Sequence, residues 1–127
     1  MMQCLEFNSH SNLEGNIVEI AVSEAGEVKV LRFEGKLDTK TFPDAQTLLT
    51  ELIEQGATKI VVNFEKLVYI SSAGLRVLLS AAKQLKHNSG ELRVCSLNEV
   101  VQEVFEISGF NTILAVTKSE IDALEDF

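Results

Sequence analysis

Ser71 and Ser72 are adjacent hydroxyls within Tyr69-Ile70-Ser71-Ser72-Ala73-Gly74-Leu75-Arg76. A displayed serine can attack a carbonyl or accept a phosphate. The first chemistry needs a base, and the only two histidines, His10 and His87, lie in polar, loop-like segments. Neither serine sits in a Gly-x-Ser-x-Gly elbow. No glycine-rich loop ending in Gly-Lys-Ser or Gly-Lys-Thr is present to cradle a nucleotide. Cys4 and Cys95 lack the paired spacing of a zinc site, and their unlike contexts argue against a disulfide framework. The carboxylates Glu51 and Glu54, and Glu99, Glu103 and Glu106, fall on polar helix faces, the pattern of a solvated surface. The sequence therefore predicts no enzyme, no metal and no cofactor. What remains is a hydroxyl displayed at a helix start, beside a surface that could dock a partner.

The elements around the two serines suit that display. Lys59-Ile60-Val61-Val62-Asn63-Phe64 is an apolar run of the kind found in a strand buried on both faces. Leu75, Leu78, Leu79, Ala82 and Leu85 recur at helical spacing after it. Ser71 is placed to cap this helix, its oxygen accepting from a free first-turn amide. Ser72 then lies in the first turn, where unpaired N–H groups and partial positive charge tolerate an added phosphate. The alternative is that both serines only cap the helix. The Gly74 position is costly in a helix, by about 1 kcal/mol against alanine. Close approach of a partner backbone, or of a neighbouring strand, would explain it.

Elsewhere the chain alternates strands and helices. Strands are expected at 17–22 and 28–34, joined by a hairpin turn at Ala25-Gly26. A first helix follows, with Thr41 as cap, Pro43 in its first turn, and Phe42, Ala45, Leu48, Leu49, Leu52 and Ile53 as its apolar face. After the central helix and its exit at His87-Asn88-Ser89-Gly90, a strand is expected at 91–96. His87 reads as solvated. Asn98 is the expected cap of a third helix, with Val101, Val104 and Phe105 inward and Gly109 as its left-handed terminus. A fifth strand is expected at 112–116. Thr117-x-x-Glu120 reads as a capping box opening a last helix, with Ile121 and Leu124 inward. Alternation of this kind implies a mostly parallel sheet with right-handed crossovers.

Three segments together carry a family resemblance. Val68-Tyr69-Ile70-Ser71-Ser72-Ala73-Gly74-Leu75 resembles the phosphorylation loop of the STAS family, the bacterial anti-sigma factor antagonists and their relatives, including domains of sulfate transporters. That family usually has aspartate, the phosphorylatable serine, serine or threonine, then Gly-Leu. Ser71 stands at the aspartate place, Ser72 at the phospho-acceptor, and Ala73 at the next hydroxyl. Val94-Cys95-Ser96-Leu97-Asn98, with Val104-Phe105-Glu106-Ile107-Ser108-Gly109-Phe110, is similar to the strand, helix and Ser-Gly turn of the sporulation and general-stress antagonists. Glu34-Gly35-Lys36-Leu37-Asp38 is similar to the family's Gly-x-Leu-Asp turn.

The resemblance implies a single α/β STAS domain over residues 16–127, preceded by a loosely ordered arm at 1–15. Its sheet would be mixed and mostly parallel, of about five strands, with an N-terminal hairpin and helices packed on it. It implies an anti-sigma factor antagonist in a partner-switching pathway. Such an antagonist binds an anti-sigma factor serine kinase when unphosphorylated and is released by phosphorylation, here at Ser72 or alternatively Ser71. A serine phosphatase reverses the step. The partner-binding residues would be Asp38, Ser71, Ser72, Ala73, Gly74, Leu75, Arg76 and Asn98, gathered at the C-terminal edge of the sheet. A different reading is a structural subunit of a lipid- or anion-transport ATPase assembly. A nucleotide-binding module is disfavoured by the missing phosphate loop.

Composition agrees with a soluble globular domain. With 127 residues and 46% hydrophobic content, the chain suffices for one cored domain. The net charge of −8 excludes nucleic acid, which needs clustered Lys and Arg, and suits a basic protein partner. No apolar stretch approaches the ~20 residues of a membrane span, and the N-terminus lacks the features of a signal peptide. A cytoplasmic monomer is the expectation.

Overall fold

The computed structural model describes residues 2–3, 8–10, 18–112, 114–125 and 127. The strands are β1 (Met2–Gln3), β2 (Asn8–His10), β3 (Val18–Ala25), β4 (Val28–Leu37), β5 (Lys59–Ile70), β6 (Glu91–Cys95) and β7 (Ala115–Thr117). The helices are α1 (Phe42–Glu54), α2 (Ser72–His87), α3 (Glu99–Ser108) and α4 (Glu120–Leu124), with a 3-10 turn at Phe110–Thr112. The main sheet order is β3-β4-β5-β6-β7, with β1 and β2 each pairing antiparallel to β3. β3 and β4 form an antiparallel hairpin, and β4, β5, β6 and β7 run parallel. This is the expected α/β architecture. The arm expected at 1–15 lies largely outside the described residues, and its described pieces are β1 and β2.

The central strand earns its place by burial. Ile60, Val61, Val62 and Phe64 of β5 are all fully buried, as expected of a strand covered on both faces. One face joins the larger core, with Leu48, Leu49 and Leu52 of α1, Leu78 and Leu85 of α2, and Val101 and Phe105 of α3. Phe33, Phe64, Phe105 and Phe110 form an edge-to-face chain there, with successive ring centroids 5.2, 6.5 and 6.2 Å apart. The other face is small: Val28, Val30, Val61 and Cys95 under Ala123 of α4.

Several local expectations change. β5 runs six residues beyond Phe64, although Glu65, Lys66, Val68 and Tyr69 are exposed. Its ladder with β4 continues through two register shifts, the second at Gly35, whose φ is 102°. Thr41 occupies the N-cap position of α1 but makes no capping bond. Its hydroxyl instead donates to the Lys36 carbonyl at 2.8 Å and accepts from the Asp38 amide at 2.9 Å. The expected strand at 112–116 shifts later, because Phe110–Thr112 closes as a 3-10 turn. Thr117 therefore ends β7 and caps nothing. Ser119 is the N-cap of α4, accepting from the Asp122 amide at 3.2 Å. Ile121 is 74% exposed and Ala123 takes the inward position. Gly109 is left-handed at φ 75° as expected.

Candidate functional site

Ser71 follows β5 directly and hands the chain to α2. Its amide donates to the Leu37 carbonyl at 2.9 Å, which ties the start of α2 to the end of β4. Its hydroxyl accepts from the Gly74 amide at 3.3 Å, and its carbonyl accepts from the Leu75 amide at 3.0 Å. Ser71 thus caps the helix, as its position predicts. Ser72 is the first residue of α2 and is exposed. Of the two hydroxyls, one is committed to the fold and the other faces solvent.

The turn after β4 lies alongside. Leu37 and Ile70 are paired across β4 and β5. The Asp38 carboxylate accepts from the Lys40 amide at 2.9 Å and the Thr41 amide at 3.1 Å, closing the turn into α1. Between the starts of α1 and α2 runs an open groove of about 380 Å³, lined by Thr39, Phe42, Gln46, Ala73, Arg76 and Val77. Arg76 is exposed and has no ion-pair or hydrogen-bond partner among the described residues. Val68 and Tyr69, 55% and 44% exposed, precede the loop. They form an exposed apolar pair beside the loop, outside the residues expected to bind a partner. Its sequence signal is two successive bulky apolar residues in a strand whose alternation would bury only one.

The other expected site residues are placed differently. Ala73, Gly74 and Leu75 are buried. A Cβ on Gly74 would meet Ile70 Cγ1 and Leu37 Cγ, each at 2.9 Å, and the Leu37 carbonyl oxygen at 3.0 Å. β4 and β5 approach the helix closely at Gly74, which favours the neighbouring-strand explanation. Asn98 caps α3, accepting from the Val101 amide at 2.9 Å, while its amide group donates to the Leu67 carbonyl. Leu67 lies three residues before Ile70 on β5, about 10 Å back along the strand. Asn98 is therefore set back from the loop, with both ends of its side chain engaged internally. Asp38, Ser71, Ser72 and Arg76 are the predicted residues that the structure brings to one accessible edge.

A second polar cluster lies on the α4 side of the sheet. Arg32 donates to both Glu120 carboxylate oxygens, at 3.0 and 2.8 Å, and to the Ser23 hydroxyl at 2.9 Å. The buried Asn63 side chain donates to Glu120 at 3.0 Å and accepts from the Glu65 amide at 2.8 Å. Burial alone would raise the Glu120 carboxyl's affinity for a proton. The bonds from Arg32 and Asn63 outweigh it and hold the pKa below the ordinary value. Burial pushes the nearby Cys95 thiol up, which favours its protonated form. No group of carboxylates, histidines and cysteines among the described residues could hold a metal. No described helix is long and apolar enough to cross a membrane.

The model of the STAS domain matches residues 19–123. The chain belongs to the STAS domain family. It is 40% identical over 94 residues to BtrV of Bordetella bronchiseptica, covering 74% of this chain and 81% of that protein. It is 33% identical over 92 residues to the anti-sigma-B factor antagonist of Staphylococcus aureus, covering 72% and 82%. Among solved structures, the phosphorylated form of the Bacillus cell fate determinant SpoIIAA superposes with a TM-score of 0.66 at 25% identity, covering 84% of this chain and 96% of that one. This STAS chain keeps the family's fold, with Ser71 joining β5 to α2.

Proposed function

We propose that this STAS protein is an anti-sigma factor antagonist switched by phosphorylation of Ser72. The observation that carries the reading is the division of labour between the two serines. Ser71 is spent on capping, whereas Ser72 is exposed in the first turn of α2, the position that the loop's resemblance gives to the acceptor. The relatives' names support the antagonist role. In this reading an anti-sigma factor serine kinase docks in the cytoplasm on Asp38, Ser71, Ser72 and Arg76, with Asn98 at the margin. The Ser72 oxygen takes the γ-phosphoryl group of ATP, the bond to ADP breaks, and the hydroxyl proton passes to a base on the kinase. A phosphoserine adds about −1.5 to −2 charge, which would have to be desolvated at the docked surface. The complex separates without a change of fold, and a serine phosphatase resets it.

The experiment is capture of partners from native cell extract on immobilised protein, with and without ATP, followed by phosphopeptide mapping. A kinase retained without ATP and released with it, and phosphate on Ser72, are expected. Ser72→Ala should abolish labelling and keep the kinase bound in ATP. Full labelling of Ser72→Ala would move the acceptor to Ser71. A stable complex with a transport ATPase and no labelling would replace the antagonist reading altogether.

A further inference from the structure

The first two turns of α2 contain one charged residue, Arg76. No acidic residue lies in the first turn, so an unmodified Ser72 offers Arg76 no counter-charge. Position 76 is four residues after position 72, which places it about 6 Å along the axis and about 40° around it. The two side chains therefore share one helix face. Helical side chains lean toward the N-terminus, so a long residue covers the turn before its own Cα. For Arg76 that turn begins at Ser72. An anion N-terminal to a cation at this spacing is also the favourable order, and the anion at position 72 complements the positive start of the helix. Arg76 is exposed, without a partner among the described residues, and on the rim of the groove between α1 and α2.

We infer that Arg76 is the built-in counter-charge for a phosphate on Ser72, closing a phosphoserine–arginine pair within α2. The inference rests on the reading that Ser72 is the acceptor. Its consequence is a switch with two arms. Phosphorylation places negative charge on the docking edge, and the same event withdraws the edge's guanidinium from any acidic group on the partner. A planar guanidinium presents a fixed fork of two parallel N–H bonds to two phosphate oxygens, a geometry an ammonium lacks.

The test is a thermodynamic cycle on the full chain, with phosphoserine installed at position 72 during translation so that no kinase is needed. The four proteins are the wild type and Arg76→Gln, each with and without phosphate. Phosphorylation should raise the Tm of the wild type by about 2–4 °C more than that of Arg76→Gln at low salt. The difference should shrink in about 0.5 M NaCl. The Arg76 Nε–H resonance should move on phosphorylation, and Arg76→Lys should restore only part of the Tm difference. An unmoved Arg76 resonance, with equal Tm changes in wild type and Arg76→Gln, would overturn the pairing. Should the kinase prefer Ser71, the phosphopeptide map reports it, while this cycle still decides whether Arg76 holds a phosphate on Ser72.

Discussion

A methyl group on Gly74 would have to share space with Leu37 and Ile70 at 2.9 Å. Alanine there improves helix propensity by about 1 kcal/mol but overpacks a buried strand–helix contact, which typically costs about 1–3 kcal/mol. The Leu37 carbonyl cannot retreat freely, because it accepts the Ser71 amide. Gly74→Ala should therefore lower stability by about 1 kcal/mol in urea denaturation; unchanged or higher stability would return the glycine to a role in partner docking. That a reason was needed at Gly74 is legible in the sequence. The residue supplying it is not, because Leu37 is brought there by the β4–β5 ladder. Asp38 presents the same division. Asp38→Asn keeps the acceptor oxygen that closes the turn, so its stability should change by less than about 0.5 kcal/mol, while Asp38→Ala should lose about 1 kcal/mol. If Asp38→Asn also leaves kinase affinity and its salt dependence unchanged, Asp38 is a turn residue alone.

Among the elements, α4 is the one held chiefly by polar clamps. At its start Glu120 meets Arg32 and Asn63. At its end Arg93 donates to the Ala123 and Glu125 carbonyls, at 3.0 and 2.6 Å, and stacks 4.1 Å from the Phe127 ring. Sequence pattern finds the long helices because their apolar stripes are local. It finds α4 but misplaces its cap and its inward face, because five residues hold less than two turns of periodicity. It also misses the partnership of Arg32 and Glu120, 88 residues apart. The Glu120 pKa is depressed on folding, so its contribution to stability is full above the ordinary carboxylate value and is lost as pH falls through the folded value. Hydrogen exchange should show α4 losing protection only below the ordinary carboxylate range, and Glu120→Gln should have weaker protection at neutral pH with little of that dependence. At the other clamp, Arg93→Ala should loosen α4 over Cys95. In a Cys4→Ser background, labelling of Cys95 by a thiol reagent should then speed up about 5- to 10-fold, the ratio for roughly 1 kcal/mol of lost docking. An unchanged rate would show that the apolar contacts of Ala123 and Leu124 suffice.

Taken as one body, the molecule couples an unremarkable core to a lopsided charge. The alternation of strands and helices made the sheet's class readable, since parallel neighbours need helical crossovers. The edge where Asp38, Ser72 and Arg76 meet follows from that topology, whereas the setting-back of Asn98 depends on β5 outrunning β6, which polar residues at 65–66 conceal. Charge was readable outright: 19 acidic against 11 basic side chains give a net −8. Two effects of salt oppose one another. Screening weakens surface pairs such as Lys59–Glu27, each worth about 0–1 kcal/mol or less. It also relieves repulsion among the surplus carboxylates, a term summed over the whole surface and confined to the compact state. The Arg32–Glu120 pair is partly shielded from solvent and less sensitive. Relief of repulsion should win. Between about 0.01 M and about 0.3 M NaCl at pH 7, Tm should rise by roughly 2–5 °C in scanning calorimetry. Lowering the net charge by substituting exposed Glu99, Glu103 and Glu106 of α3 with Gln should remove part of that rise, because the three crowd one helix. A Tm that falls with salt would mean that attractive pairs dominate the native field despite the surplus of acid.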